Sequence, residues 1–546
     1  MDQIDPFLAR VAITGSPFEI AERDGLRQFV NAPQDINLLI EVARRHGDKT
    51  FLVEGDRRLT FSEMFDWRDQ LVTQLGIARG DRVAICMRNR AEWMVAFLAV
   101  VRAGGVAALL NSRGSPQELR AMIDEVSPSL VIADSERAAL IAQGGFAGRM
   151  VDLTQPIEAN AATSAPPPEL GSANSDDPCT ILFTSGTTGQ IKGAVLSHRN
   201  LITGLMSVQL SGAMIIHQMA DRYDMTVGDL MANLPQQAVL LVYPLFHISG
   251  LGSAFLSPLC AGSKIVIMRR WDAREALKLI ADERITMFTG VPTMLWDVIH
   301  SAQLDGADLS SLTNVASGGQ ALPVNLLSEI RTACPQAAMG TGYGMTECAG
   351  AVAQAVGDDF VRKPSSAGRV LPVVEMRTLG MDGSVLPRGE TGEFAVRGAM
   401  VMQGYWNRPD ETGAVLASDG WLRTGDMGYV DDEGYVFIVD RKKDMVISGG
   451  ENIFCAEVER AMGELDGITE CAAFGIPDER LGELLVAVVV AKGLTEAEII
   501  REVGEKLARY KAPARVAFAT ETLPRNAVGK VDKIALRSRW AAITGN

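Results

Sequence analysis

The segment ILFTSGTTGQIKG, residues 181–193, combines hydroxyl side chains, glycines and a lysine directly after a short apolar run. Glycines let backbone N–H groups turn toward a bound anion, hydroxyls donate hydrogen bonds, and lysine adds a positive charge. The spacing differs from that of a nucleoside-triphosphatase P-loop, because Gly186 and Gly189 are three residues apart and Lys192 follows three residues later. The segment therefore predicts a phosphate-binding loop of another kind. A solvated turn rich in Ser, Thr and Gly is the alternative.

The composition favours small molecules as partners. The chain has 546 residues, of which 22% are charged, and its net charge of −15 argues against nucleic acid or an anionic membrane as a partner. Its seven Cys include no C-x-x-C pair and its five His lack metal-ligand spacing, so we expect neither a disulfide framework nor a zinc site. The opening residues, MDQIDPFLAR, lack the pattern of a signal peptide, and we expect a cytoplasmic protein with reduced thiols.

The elements that must position the loop alternate between strands and helices. A hairpin is predicted over residues 50–61, and strands are predicted over 81–87, 106–111 and 129–134, with helices between the strands. This alternation predicts a parallel sheet with helices on both faces. Residues 154–178, rich in Ala, Pro and Ser, are interpreted as a linker, so the loop begins a second α/β subdomain.

Two apolar stretches, residues 93–111 and 238–256, are long enough to be mistaken for membrane spans. Arg102 and two glycines interrupt the first stretch, and Pro244 and His247 interrupt the second. We therefore expect buried elements with turns inside them, and no integral membrane segment.

A second boundary is predicted near Asp440. Beyond it, the pattern indicates a helix, two strands and a further helix capped by Thr495 and Glu498. The expected fold class is therefore α/β. A large N-terminal domain of stacked α/β subdomains with mostly parallel sheets is predicted over residues 1–440, and a small C-terminal α+β domain over residues 441–546.

Eight further segments follow the loop in this order: PLFHISG (244–250), ASGGQALP (316–323), GYGMTE (342–347), GEFAVRG (392–398), GYWNRPDET (404–412), GWLRTGD (420–426), DRKKDMVISGGENIFCAEVE (440–459) and LPRNAVGK (523–530). Together with the loop, this series resembles the adenylate-forming superfamily of acyl- and aryl-CoA ligases, peptide-synthetase adenylation domains and luciferases. The segment ALLNSRGSPQEL, residues 108–119, is typical of the CoA-ligase branch. The resemblance covers most of the chain and implies that the C-terminal domain is mobile.

By this resemblance, the chain makes an acyl-adenylate from a carboxylic acid and ATP with Mg²⁺, and then transfers the acyl group to coenzyme A. The loop would hold the β- and γ-phosphates, because a carboxylate attacks an anionic α-phosphate only when charge is neutralised and water is excluded. Lys530 would bridge the carboxylate and the α-phosphate, Thr346 would contact the α-phosphate, and Glu347 would help to hold Mg²⁺. The resemblance implies contacts with ATP or AMP at Thr184, Ser185, Gly186, Thr187, Thr188, Gly189, Lys192, Gly318, Gly319, Gln320, Gly342, Tyr343, Gly344, Met345, Thr346, Asp426, Arg441 and Lys530.

The resemblance assigns further roles in the same way. Tyr343 would stack on adenine, and Asp426, beside Arg441, would accept hydrogen bonds from both ribose hydroxyls. Lys443 would be the hinge of the small domain. His247 would lie between the acyl pocket and the thiol tunnel. The acyl pocket is implied at His247, Ile248, Ser249, Gly318, Thr341 and Gly342.

Coenzyme A would meet two glycines and two basic residues. Gly449 and Gly450 would border the pantetheine tunnel, because only glycine lets a thin chain pass so close to the backbone. Arg113 and Lys511 are candidates for the 3′-phosphate, although Ala512 stands where some relatives carry Arg.

The leading prediction is an ATP-dependent acid–CoA ligase for a medium- or long-chain fatty acid or a bulky hydrophobic acid, because small residues such as Gly342 leave the pocket deep. The Met-rich segment 205–235 is either a wall of that pocket or part of the core. The alternatives are an aryl-acid CoA ligase, an acyl-AMP ligase that loads a separate carrier protein, a luciferase-like oxygenase and a non-catalytic nucleotide-binding relative. A homodimer is left open.

Overall fold

Strands and helices alternate through most of the computed structural model, which describes residues 6–155, 167–185, 191–318, 324–448, 451–525 and 531–544. The chain divides into two units. The first comprises Met1–Met376, Val396–Leu422 and Glu433–Tyr435, and the second comprises Arg377–Ala395, Arg423–Asp432 and Val436–Asn546. The α/β fold class is confirmed, because most neighbouring strands in the two large sheets of the first unit run parallel.

A nine-stranded sheet is the larger sheet in the described part of the first unit. Its strands, in spatial order, are Arg369–Val370, Gly350–Val356, Ala338–Met345, Asn314–Gly318, Met287–Gly290, Ala238–Leu241, Lys264–Ile267, Thr50–Glu54 and Arg57–Thr60. One face packs on an apolar core that includes Val242, Val315 and Met339. Because side chains alternate along a strand, Gly318 and Gly342 lie on the opposite face, where they are register partners.

A seven-stranded sheet contains the strands on either side of the predicted phosphate loop. Its described strands, in spatial order, are Gly404–Tyr405, Ile191–Ser197, Pro178–Ser185, Val106–Leu109, Arg82–Cys86, Leu130–Ala133 and Met150–Asp152. The parallel order predicted for its central strands is confirmed. Two further described strands of the first unit, Ile20–Arg23 and Leu26–Phe29, form a separate antiparallel pair.

The helices of the first unit cover these sheets. The α-helices described are Pro6–Val11, Ile36–Glu41, Phe61–Leu75, Ala91–Arg102, Pro116–Val126, Ser135–Gln143, His198–Arg222, Val227–Asn233, Ser257–Ala261, Ala273–Asp282, Pro292–Asp305, Val324–Ala333, Asp358–Arg362 and Pro409–Val415. Val42–His46 and Thr346–Cys348 are 3-10 helices, and Ser249–Leu256 is a π-helix. The Met-rich helix His198–Arg222 packs against the π-helix and the strand Gly350–Val356.

The two apolar stretches contain turns, as predicted. The helix Ala91–Arg102 is followed by Gly104, whose φ of +76° starts the turn into the strand Val106–Leu109. The second stretch contains the strand Ala238–Leu241 and the π-helix. None of the described helices combines the length and apolar content needed to cross a bilayer.

The second unit contains most of a four-stranded sheet and a five-stranded sheet in its described residues. The four-stranded sheet has the order Glu375–Leu379, Gly392–Arg397, Leu422–Val430 and Val436–Arg441. The five-stranded sheet has the order Glu451–Ile453, Val446–Ser448, Gly482–Ala491 and Ile468–Asp478, with Arg515–Phe518 also paired to Gly482–Ala491. The helices are Cys455–Gly463, Glu496–Lys506, Lys533–Ser538 and Trp540–Thr544, with a 3-10 turn at Arg509–Lys511.

Candidate functional site

The two antiparallel strands of the loop hairpin, Pro178–Ser185 and Ile191–Ser197, make Thr184 and Lys192 register partners. The Thr184 hydroxyl is buried and has no hydrogen-bond partner among the described residues. Lys192 is also buried, and its ammonium lies 5.2 Å from the centre of the Tyr405 ring, in cation–π contact. A buried unpaired hydroxyl and a neighbouring buried ammonium are groups that a bound anion would satisfy.

Tyr405 connects the loop hairpin to the predicted metal ligand. Its hydroxyl donates a hydrogen bond to Glu347 Oε1 at 2.9 Å, and its short strand pairs with Ala194 of the hairpin. Burial and then the charge of Glu347 raise the pKa of Tyr405, so the phenol stays protonated and remains a donor. The motif GYWNRPDET contains this residue, but nothing in its local pattern indicates that the phenol meets Glu347.

Glu347 is a buried carboxylate in the 3-10 turn Thr346–Cys348. Mg²⁺ prefers carboxylate and phosphate oxygens, and it is commonly bound by one or two carboxylates together with substrate phosphates. Within the described ranges, no group of three or more His, Cys, Asp or Glu side chains forms a complete metal cage. The residues therefore fit a Mg²⁺ ion that shares Glu347 with the phosphates of a substrate.

The strand Ala338–Met345 leads into this turn and carries several predicted site residues. Thr341 and Tyr343 are buried within it, and Thr346 follows its end. At Gly344, an added Cβ would lie 2.0 Å from the Gly350 carbonyl oxygen, so only glycine allows the chain to fold back here.

Gly318 ends its strand, and Gly342 lies beside it within the neighbouring strand. An added Cβ at Gly342 would lie 3.4 Å from the Ala353 carbonyl oxygen, which is ordinary van der Waals contact. The backbone therefore does not require glycine at this position, and the missing side chain gives room to a ligand. At Gly318, an added Cβ would lie 3.1 Å from the Tyr243 hydroxyl oxygen.

The segment from Tyr243 to Ser249 is fixed by Asn89. Asn89 donates to the Tyr243 carbonyl oxygen at 2.9 Å and accepts from the Leu245 N–H at 3.0 Å. His247 packs beside Phe246, with ring centres 4.9 Å apart, and Ile248 precedes the π-helix that begins at Ser249. Asn89 was not predicted, because it is distant in sequence from the segment that it holds.

Arg113 lines a small pocket. Arg88 and Arg269 line the pocket as well, together with the apolar side chains of Phe246 and Trp271. Burial lowers the pKa of both Arg88 and Arg113, and nearby guanidinium groups lower it further. Closely spaced positive groups of this kind favour an anionic ligand.

In the second unit, Asp426 and Arg441 are register partners on antiparallel strands. Arg441 Nε lies 3.3 Å from Asp426 Oδ1, and the Asp426 side chain is 11% exposed against 53% for Arg441. The structure thus brings together the two residues implied at the ribose. Lys443 is exposed in the turn between Val436–Arg441 and Val446–Ser448, which is closed by a hydrogen bond from the Asp444 N–H to the Arg441 carbonyl oxygen at 2.9 Å.

A buried ionic network in the same unit was not predicted. Lys533 Nζ lies 2.8 Å from Glu459 Oε1, which also accepts from the Ala473 N–H at 2.8 Å. Asp440 accepts from the Ala456 N–H at 3.1 Å. Burial raises the pKa of Glu459 and of Asp440, and the charge of Lys533 opposes both shifts.

Several predicted residues lie outside the described ranges or are already paired. Lys511 donates to Glu457 Oε2 at 2.7 Å. The predicted site residues outside the described ranges are Gly186, Thr187, Thr188, Gly189, Gly319, Gln320, Gly449, Gly450 and Lys530.

Comparisons with known proteins identify the family of this chain. Residues 39–406 match the family described as AMP-binding enzyme, and residues 457–530 match the AMP-binding enzyme C-terminal domain. The chain is 34% identical over 505 residues to the long-chain-fatty-acid–CoA ligase FadD13 of Mycobacterium tuberculosis, covering 89% of this chain and 94% of that protein. It is 36% identical over 504 residues to a feruloyl-CoA synthase of Amycolatopsis sp, covering 91% of this chain and 97% of the synthase.

A solved structure extends the comparison. The fold is similar to that of O-succinylbenzoate coenzyme A synthetase (MenE) from Bacillus subtilis in complex with ATP and magnesium ion, with a TM-score of 0.75 and 28% sequence identity. The similarity covers 92% of this chain and 98% of that chain.

Proposed function

Because this chain belongs to the AMP-binding enzyme family and is an AMP-forming acid–CoA ligase, we propose that it converts a bulky hydrophobic carboxylic acid into its coenzyme A thioester through an acyl-adenylate. Its reaction uses ATP, Mg²⁺ and coenzyme A. The observation that carries the proposal is the continuous set of buried polar groups formed by Thr184, Lys192, Tyr405 and Glu347.

In the first step, the carboxylate of the acid attacks the α-phosphate of ATP, and pyrophosphate leaves. Both reactants are anionic, so the protein must supply positive charge and hydrogen-bond donors where charge develops. We assign Thr184 and Lys192 to the β- and γ-phosphates, Thr346 to the α-phosphate and Lys530 to the bridge between the carboxylate and the α-phosphate. Glu347 would hold Mg²⁺, which would supply positive charge at the phosphates.

Further residues are assigned to the nucleoside. Tyr343 is the proposed stacking partner of adenine, with Gly318, Gly319 and Gln320 beside the purine. Asp426 is the proposed acceptor for the ribose hydroxyls. The 3.3 Å contact with Arg441 supports this role, because it holds the carboxylate in place and a carboxylate has two oxygens that can accept hydrogen bonds.

In the second step, the thiol of coenzyme A attacks the acyl carbonyl carbon, the thioester bond forms, and AMP leaves. The arginine-lined pocket beside Arg113 supports a role in holding the anionic phosphates of coenzyme A. Lys511 would have to leave Glu457 to share this role. Gly449 and Gly450 are assigned to the pantetheine arm, and Lys443 to the hinge between the two half-reactions.

The acyl group is proposed to be a fatty or bulky hydrophobic acid, with an aryl acid as the alternative. The absence of a side chain at Gly342 supports a deep pocket, to which we assign His247, Ile248, Ser249 and Thr341. The relatives named above act on a long-chain fatty acid and on ferulate, so both classes belong in the assay.

A panel of carboxylic acids, assayed for AMP release with ATP and Mg²⁺, tests the proposed function. Coenzyme A should raise AMP release well above the rate with acid and ATP alone. If coenzyme A has no effect and a purified acyl carrier protein does, the chain loads a carrier instead. Lys192→Met should abolish both activities, whereas Lys278→Met, an exposed lysine on a surface helix, should leave them unchanged.

We also propose the domain boundaries, the cellular location and the oligomeric state of the chain. We assign residues 1–440 to the large adenylate-forming domain and residues 441–546 to the small domain that carries Lys530. The proposed location is the cytoplasm, which cell fractionation tests. A homodimer is the oligomeric state to test, by light scattering coupled to size-exclusion chromatography.

A further inference from the structure

The Tyr243 hydroxyl is a buried polar group with no role in the steps above. Tyr243 follows the strand Ala238–Leu241, and its hydroxyl oxygen would lie 3.1 Å from a Cβ added at Gly318. Burial raises the pKa of Tyr243 and the Gly318 backbone opposes the shift, so the phenol keeps its proton. That proton has no acceptor among the residues described.

A second unpartnered polar atom, Gln354 Oε1, lies on the same face of the nine-stranded sheet. It is buried and has no hydrogen-bond partner in the described part of the chain. Gln354 is the register partner of Gly342, which in turn is the register partner of Gly318. Its Cγ would lie 4.0 Å from a Cβ added at Gly342. Because side chains alternate along a strand, these groups face away from the apolar core that contains Val315 and Ala355.

Two buried polar atoms therefore border a strip of the sheet where glycines leave room. A plain hydrocarbon chain over Gly318 and Gly342 would leave both atoms unpaired, which is unfavourable. A hydroxyl group on the ligand has the matching chemistry, because its oxygen can accept from a phenol and its proton can be donated to an amide oxygen. We propose that Tyr243 and Gln354 are specificity-determining residues that select an acid with a hydroxyl group on its acyl body, an inference that rests on the proposed function.

Pairs of acids that differ by one hydroxyl test this inference. The pairs are cinnamic acid with its para-hydroxy derivative, and dodecanoic acid with its omega-hydroxy derivative. The parent enzyme should favour the hydroxylated member of at least one pair by about tenfold or more in kcat/KM. Tyr243→Phe and Gln354→Met should each bring that preference close to one, because the variant no longer leaves a polar atom unpaired beside the plain acid. Tyr223→Phe, at an exposed tyrosine, is the matched control and should preserve the preference.

Stability provides a readout that does not depend on activity. Because the proton of the Tyr243 phenol has no acceptor in the described protein, Tyr243→Phe should not lower the unfolding temperature of the ligand-free enzyme. Equal kcat/KM within both pairs, an unchanged preference in Tyr243→Phe, or a lower unfolding temperature of that variant would each overturn the inference. If AMP release depends on coenzyme A but shows no preference for the hydroxylated acid, the inference fails and the proposed function stands. If coenzyme A does not change AMP release, the proposed function itself is refuted.

Discussion

The contact between Tyr405 and Glu347 can be removed by deleting one oxygen atom. In Tyr405→Phe, Glu347 Oε1 loses a donor at 2.9 Å while the ring beside Lys192 is retained. Groups that orient a metal ligand typically change metal affinity by roughly 10- to 100-fold, so the Mg²⁺ concentration for half-maximal adenylation should rise by about that factor. Tyr510→Phe, at an exposed tyrosine, is the control. An unchanged Mg²⁺ titration would remove Tyr405 from the metal site.

Asp426→Ala tests the assignment of the ribose acceptor. A hydrogen bond to a charged group contributes about 1.5–3 kcal/mol, so the KM for ATP should rise by at least about tenfold. Loss of the salt bridge to the half-exposed Arg441 should cost little stability, because exposed ion pairs contribute only about 0–1 kcal/mol. Steady-state kinetics and thermal unfolding measure the two effects. A KM for ATP within twofold of the parent, with an intact fold, would contradict the assignment.

The site residues that were predicted lie in local sequence motifs, whereas the residues that were missed depend on distant partners. Thr184, Lys192 and Glu347 lie in motifs whose residue types already indicate phosphate and metal chemistry. Tyr405 and Asn89 act through partners more than fifty residues away, at positions set by strand register and chain reversal. A local pattern does not contain that information.

Gly250 lies at the start of the π-helix Ser249–Leu256, where a larger residue is expected to disturb the acid-binding segment. A Cβ added there would lie 2.1 Å from the Pro244 carbonyl oxygen, so Gly250→Ala must displace the segment that contains His247. Overpacking against backbone costs about 1–3 kcal/mol, and the KM for the acid should rise while the KM for ATP stays near the parent value. Gly252→Ala is a matched control on the same helix, because nothing lies within 4 Å of its added Cβ. Equal behaviour of the two variants would argue against this account.

The pair formed by Lys533 and Glu459 predicts a pH-dependent stability. Lys533→Met leaves the Glu459 carboxylate without its cation. The side chains of Lys533 and Glu459 are 19% and 24% exposed, so we expect the free energy of unfolding to fall by about 2–3 kcal/mol. Burial then raises the folded-state pKa of Glu459 further above its unfolded value. A carboxyl group whose pKa is higher in the folded state stabilises the fold at pH values below its unfolded-state pKa. That stabilisation is lost as the pH rises through the folded-state pKa.

The loss in Lys533→Met should therefore be larger at pH 8 than at pH 5, as measured by chemical denaturation. The double variant Lys533→Met with Glu459→Met should recover much of the stability, because replacing both partners removes the unpaired charge. A pH-independent loss, or a double variant no more stable than the single one, would show that the pair is not the cause.

Elements specified by local sequence were predicted well. The hairpin of Thr50–Glu54 and Arg57–Thr60 forms, and the predicted cap at Thr495 forms as a capping box with Glu498. Each depends on residues within a few positions of one another. The four-residue strand Arg515–Phe518 and the π-helix were missed, because the first is defined by its pairing with a distant strand and the second has an apolar pattern that also fits other buried elements.

At the scale of the whole molecule, the two half-reactions are expected to need different residues. Lys530 carries a charge that is required while the carboxylate meets the α-phosphate. Removing a preorganised electrostatic donor typically costs on the order of 10²–10³ in rate, so Lys530→Ala should slow acyl-AMP formation by at least that factor. Once acyl-AMP exists, its carbonyl is already activated. Lys530→Ala given synthetic acyl-AMP and coenzyme A should therefore form thioester at nearly the parent rate.

Gly449→Val should show the opposite pattern. A branched side chain would obstruct the proposed path of the pantetheine arm, whereas the carboxylate and ATP do not use that path. Adenylation should therefore proceed at nearly the parent rate while thioester formation fails. Single-turnover kinetics of each half-reaction, measured for both variants, decide the matter. If Lys530→Ala damages both steps equally, the lysine serves one shared arrangement of the site, and the use of Lys443 as a hinge between two arrangements has to be abandoned.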